Sequence, residues 1–186
     1  MKQPLRYPSS VSLLHWLLAI MLVGNLAIGW MLDDKEELLD LHKSVGIAIL
    51  IMVLIRLANR FRVRHRLPPS VNETGTSAHF AEVAAHCLLY VLILATPLFG
   101  WLKTNAAGHA TSCFGLFSLP TILPRSRELS HWLGQLHSLT AYGLAALVGL
   151  HMLGVLAHWL LRRHNILPRI LPLLRRPISS TNRVQE

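Results

Sequence analysis

The stretch that decides the fold is residues 135–151, QLHSLTAYGLAALVGLH. It holds two histidines, His137 and His151, in a run free of charged residues. They are 14 residues apart. On an α-helix that spacing is about 21 Å of rise and about 1400° of rotation, about 40° short of four full circles. Both rings therefore leave nearly the same face of one helix, at two levels. An imidazole inside hydrocarbon is costly and needs a partner, and haem iron is a common one. His15 and His42 sit in two other apolar segments. The pattern predicts four histidines holding two haems in a membrane bundle, an electron path across a bilayer.

Composition agrees with a membrane chain. The 186 residues are 52% hydrophobic and only 15% charged, and the charges are segregated toward the ends of apolar runs. Soluble domains interleave their charges. The net charge of +9 does not indicate nucleic acid, because the basic residues flank apolar spans and alternate with no aromatic platform. Cys87 lies in an apolar run and Cys113 in a connecting segment, so no disulfide is expected between them. There is no C-x-x-C-H, so a haem here is b-type, held by ligation and packing alone. Lys2 and Arg6 before the first apolar run imitate a signal peptide, but the run is long and lacks a clear cleavage site. It reads as a retained anchor.

The chain reads as all-α, an integral membrane four-helix bundle forming a single membrane domain over residues 1–186. The spans fall at about 11–32, 41–61, 78–102 and 131–162, each long enough for a hydrocarbon core of about 30 Å. A basic tail, 163–186, follows. Ser9 or Ser10 is the expected first N-cap, and Pro97 is expected to kink span three near its outer end. Lys2, Arg6, Arg56, Arg60, Arg62, Arg64, Arg66, Arg162, Arg163, Arg169, Arg175, Arg176 and Arg183 fall on one side, thirteen of the 18 basic residues. The other side has Lys35, Lys43, Lys103, Arg125 and Arg127. The positive-inside rule then puts both termini, and the tail, in the cytoplasm. The second outer segment, about residues 103–130, is expected to form a partly structured cap.

His42 and His137 have matching depths near the outer side, so they suit one iron gripped from two helices. A hydrogen-bonded interfacial pair is the simpler alternative. Gly46, Gly134 and Gly143 are candidates for leaving room beside a flat macrocycle. The inner site is more open: spacing leaves His15, His86, His151 and His158 as candidate ligands. His65, His79, His109, His131 and His164 read as surface residues, and the five tryptophans as an interfacial belt. Glu82 is expected to face the inner polar surface or to pair with a nearby His or Arg.

Four segments carry a family resemblance: LHW in span one, LHKSVG opening span two, HCLLYVLILATPLFG in span three and QLHSLTAYGLAALVGLH in span four, with HNILPRILP after it. The chain resembles the bacterial cytochrome b561 family, which is similar to the di-haem cytochrome b subunits of hydrogenases and formate dehydrogenases. The resemblance implies a bacterial inner-membrane protein with two haem b groups. It implies ligand pairs His15 with His151 at the inner haem and His42 with His137 at the outer one. His158 would then lie near the inner haem as a general acid toward a quinone carbonyl. Small stand-alone members include a superoxide oxidase that passes electrons to ubiquinone. The expected partners are thus the lipid bilayer, a quinone, and superoxide or a redox protein as donor. A membrane anchor and electron conduit for a dehydrogenase or hydrogenase is the rival reading, and a non-redox transporter or haem-handling protein a third. The first outer loop is acidic, with Asp33, Asp34, Glu36, Glu37 and Asp40. An anion-collecting face therefore needs Lys43, Lys103, Arg125 and Arg127 to gather over the outer haem.

Overall fold

Four long helices account for most of the chain: α1 Ser9–Trp30, α2 Leu39–Arg62, α3 Ser77–Ala106 and α4 Arg127–Leu161. The computed structural model describes residues 6–32, 35–70, 72–161 and 170. The basic tail, the HNILPRILP segment, His164 and the Asp33–Asp34 pair of the acidic loop lie outside the described residues. All four helices are long and apolar enough to cross a membrane. Their surfaces confirm the solvent they are built for. Ile20 on α1 and Leu139 on α4 are each 68% exposed, and Leu13, Leu54, Val91 and Leu150 are also turned outward. Water would penalise so continuous an apolar surface, and lipid does not.

The core is correspondingly thin. Leu18 and Leu22 of α1, Ile49 and Val53 of α2, Ile93 of α3 and Leu144 of α4 meet in one buried cluster. Neighbours in sequence pack together: α1 on α2, α2 on α3, and α3 most extensively on α4. One expected helix feature shifts. The N-cap of α1 is Pro8, not a serine; its carbonyl accepts from Val11 and Ser12, while Ser9 and Ser10 form the first turn. Proline's fixed φ suits that position, and its extended ψ turns the chain into the helix. Pro97 lies within α3 but does not end it; the helix runs on to Ala106. Arg56, counted above with the charges around the end of span two, is inside α2 and half-buried.

The α3–α4 connection contains a small antiparallel hairpin, β1 Thr111–Cys113 and β2 Phe117–Leu119. Its turn needs positive φ at Phe114 and Gly115. Phe114 is not a residue that favours that region, so something must hold it. Ser44 of α2 does: its hydroxyl accepts from the Phe114 amide at 2.9 Å and donates to the Ser112 carbonyl. Asn105 anchors the rest of the connection by accepting from the Ile122 amide at 2.7 Å. The hairpin thus caps one end of the bundle, called the hairpin end below; the opposite end is the termini end. Cys113 is buried on β1 and Cys87 exposed on α3, and both are free thiols.

Ser44→Ala should release the hairpin from α2. The expected cost is about 1 kcal/mol for the lost hydrogen bonds. Faster amide exchange at residues 111–119, with α2 unchanged, is the measurement that checks it.

Candidate haem sites

Near the hairpin end, the rings of His42 on α2 and His137 on α4 face each other with centroids 6.1 Å apart and planes at 87°. Each ring is held by a backbone carbonyl. His42 Nδ1 lies 3.2 Å from the Asn25 carbonyl of α1, and His137 Nδ1 lies 2.8 Å from the Thr96 carbonyl of α3. A carbonyl only accepts, so in both rings Nδ1 carries the proton and Nε2 keeps its lone pair. Two glycines make these contacts possible. A Cβ on Gly29 would stand 3.0 Å from His42 Cε1, and one on Gly100 would stand 3.0 Å from His137 Nδ1.

Near the termini end, the arrangement differs. The His86 ring of α3 packs on His151 of α4, with centroids 5.4 Å apart and planes at 82°. His86 Nδ1 is 2.7 Å from the Glu82 carbonyl of its own helix. His15 of α1 stands beside Trp16 and receives a hydrogen bond on Nδ1 from Arg56 Nη2 at 3.1 Å. The Arg56 guanidinium also covers the Tyr90 ring at 5.2 Å, a cation–π contact worth about 0.5–2 kcal/mol. His15 lies within electrostatic reach of Arg56, His86 and His151, and His151 within reach of His86 and Arg56. Trp16 donates to the Ile170 carbonyl at 3.2 Å.

One spacing organises both ends. His15 and Gly29 on α1, His42 and Arg56 on α2, His86 and Gly100 on α3, and His137 and His151 on α4 are each 14 residues apart. Because the helices alternate in direction, these eight residues form two layers, roughly 21 Å apart along the axis. The hairpin layer is Gly29, His42, Gly100 and His137. The termini layer is His15, Arg56, His86 and His151. The sequence reading missed Gly29, Gly100 and Arg56 as site residues; recurrence of the spacing on every helix was the signal that carried them. The glycines it singled out have different neighbours. Gly46 faces Asn25, Gly134 takes the Lys103 stem, and Gly143 meets Leu92. His158 falls on α4 seven residues beyond His151, and its side chain lies outside the described residues. The Glu82 carboxylate accepts from Ser70 at 2.6 Å and Asn72 at 2.9 Å, and His86 lies within its electrostatic reach.

Residues 6–173, nearly the whole described chain, match the profile of prokaryotic cytochrome b561. The chain belongs to the prokaryotic cytochrome b561 family. Cytochrome b561 homolog 2 of Escherichia coli K12 is 30% identical over 175 residues, 90% of this chain and 92% of that protein. Probable superoxide oxidase CybB of Yersinia pestis is 26% identical over 168 residues, covering 86% and 92%. Cytochrome b561 homolog 1 of E. coli K12 is 24% identical over 176 residues, covering 90% and 97%. Four membrane-spanning helices and this family make the chain a multi-pass protein of the bacterial inner membrane that works in electron transfer. The family implies haem b.

The residues of the hairpin layer fit that group. Two imidazoles on opposite sides of one metal, with bonds of about 2 Å, have ring centres about 6 Å apart, close to the 6.1 Å found for His42 and His137. Among the described residues, no three His, Cys, Asp or Glu side chains gather as for a bare metal ion. Histidine pairs suit an iron whose macrocycle brings four ligands of its own. Beside this layer, Lys103 and Arg127 line an open groove of about 670 Å³ between α3 and α4, with His131 and Tyr142. Lys103 and Lys43 both act electrostatically on His42 in this cytochrome, and Lys103 also on His137. Arg125 packs on Gly108 at the start of the connection.

Gly100→Val should push the His137 ring off the Thr96 carbonyl, an overpacking cost of about 1–3 kcal/mol. The helices should persist by circular dichroism while haem content falls. Full haem content in that variant would show that Gly100 does not seat the ligand.

Proposed function

We propose that this cytochrome binds two haem b groups, one at each layer, and carries electrons from superoxide at the outer face to ubiquinone at the inner face. The observation that carries the reading is the His42–His137 pair, each ring turned by a backbone carbonyl so that Nε2 is available, with lysines beside it. The excess of basic residues at the termini end supports placing that end in the cytoplasm. The hairpin layer is then the outer one, with His42 and His137 as ligands. At the inner layer His151 is one ligand and His15, by family resemblance, the other; His86 stands against His151 as its neighbour.

Each haem, when bound, supplies a one-electron carrier, so a one-electron donor and a two-electron acceptor can be joined. Two superoxide ions lose one electron each to become dioxygen; one ubiquinone gains both, with two protons, to become the quinol. The chain's own residues supply the rest. Lys103 and Arg127 draw an anion toward the outer layer despite the acidic first loop, while Lys43 is held by Asp40 at 3.4 Å. Asn25 and Thr96 hold the ligand tautomers through their carbonyls. His158 is the proposed proton donor to the quinone oxygen. The relative named a probable superoxide oxidase, matched along most of both chains, supports this donor.

The purified chain should contain two haems and reduce ubiquinone when superoxide is added. His42→Ala or His137→Ala should remove the outer haem, and His15→Ala or His151→Ala the inner one; His86→Ala should keep both. Loss of a haem in His86→Ala, with His15→Ala retaining two, would reassign the inner ligand. His158→Ala should keep both haems and slow quinone reduction. Lys103→Glu should lower the superoxide rate constant about tenfold or more at low salt, and less at high salt. A pair of haems with no response to superoxide, and co-purification with a soluble redox subunit, would instead assign the conduit role.

A further inference from the structure

Arg56 is a cation inside a membrane span, and among the described residues no anion meets it. Its Nε is buried and, among the described residues, has no hydrogen-bond partner; the same is true of the Tyr90 hydroxyl beneath it. The groups around it are His15 from α1, Tyr90 from α3, Arg60 from its own helix and Tyr7. None is a carboxylate. Among the described residues the one ion pair is Lys43 with Asp40, at the other end of α2. Glu82, the acid within α3, is occupied by Ser70 and Asn72. A guanidinium in a low-dielectric span is costly until it is paired.

The hydrogen bond it does make conflicts with the proposed role of its partner. A guanidinium only donates, so His15 Nδ1 accepts, and in the neutral ring Nε2 carries the proton. An imidazole in that tautomer cannot give Nε2 to a metal. His42 and His137, held by carbonyls, are in the opposite tautomer. Ligation by His15 through Nε2 and the Arg56–His15 bond therefore exclude each other.

We propose that Arg56 is the carboxylate-binding residue of the termini layer: its guanidinium leaves His15 Nδ1 and takes a propionate carboxylate of the haem bound there. A carboxylate offers two acceptor oxygens and the missing negative charge to a planar fork of donors. The exchange frees His15 to reverse its tautomer and bind iron. It also explains why α2 carries an arginine at the level where α1, α3 and α4 carry histidines. This inference rests on the two-haem reading above.

The test reconstitutes the full chain with haem b or with its dimethyl ester, in which both propionates are neutral. Using His137→Ala confines the measurement to the haem of the termini layer. That layer should hold haem b at least about tenfold more tightly than the ester, and Arg56→Gln should remove the difference by weakening haem b alone. Arg56→Gln should also lower the midpoint potential of that haem by a tenfold change in its one-electron equilibrium, about 59 mV. Equal affinity of the unsubstituted Arg56 site for haem b and ester overturns the proposal, whatever the variant does. An Arg56→Gln cost that is the same for both porphyrins overturns it too, and points to a lipid phosphate as the anion. If His137→Ala and His151→Ala do not each remove one haem, it is the two-haem reading that fails. If they do, and the ester binds as well as haem b, only the role of Arg56 fails.

Discussion

A neutral imidazole buried among apolar helices has one nitrogen that must donate and one that must accept, and the bundle is arranged around where each goes. At the hairpin layer a main-chain carbonyl from the adjoining helix takes the Nδ1 proton of His42 and of His137. Neither carbonyl contributes a side chain, so the identity of Asn25 and Thr96 matters less than the closeness of their backbones. That closeness comes from Gly29 and Gly100, where any side chain would strike the ring. A small residue on one helix thus bears on the tautomer of a proposed ligand on the next.

The two layers are related by spacing but not by chemistry. In the hairpin layer each histidine lies against a glycine, and both rings are turned alike. In the termini layer three histidines and an arginine occupy the corresponding positions, and among the described residues only His86 has a carbonyl partner, that of Glu82 on its own helix. The asymmetry suits the proposed transfer from one kind of molecule on one face to another kind on the opposite face. It also places one buried cation, Arg56, at the end where basic residues already cluster. Outside the layers, the helices bury little against each other and expose leucine, isoleucine and valine to lipid. Packing alone therefore constrains the bundle weakly, and side chains that bridge elements, such as Ser44 to the hairpin, carry a correspondingly large share of its order.

Much of this was legible in the chain itself. Run lengths and the segregation of charge were enough for four spans, because a bilayer demands about 20 apolar residues and the backbone must satisfy itself within each. The helices lie within a few residues of the expected bounds; the differences sit at their ends, where Pro8 rather than a serine begins α1. The two levels of α4 also followed from local pattern, since a 14-residue interval fixes the face of a helix whatever surrounds it; the family followed from four short motifs, and the nearness of His42 to His137 from their matching depths.

What the tertiary structure alone decided is which faces meet. The hairpin of residues 111–119 is too short to show a strand period, and its positive-φ turn exists because Ser44, distant in sequence, holds it. Gly46, Gly134 and Gly143 were as eligible by sequence as Gly29 and Gly100; only the rotation of each helix against its neighbour separates them. The same holds for Arg56, which reads as a loop charge until α2 turns it toward His15. Periodicity determines a residue's level and face on its own helix. The azimuth at which two helices dock is a property of both, and it is there that a ligand's tautomer and a buried charge's partner are chosen.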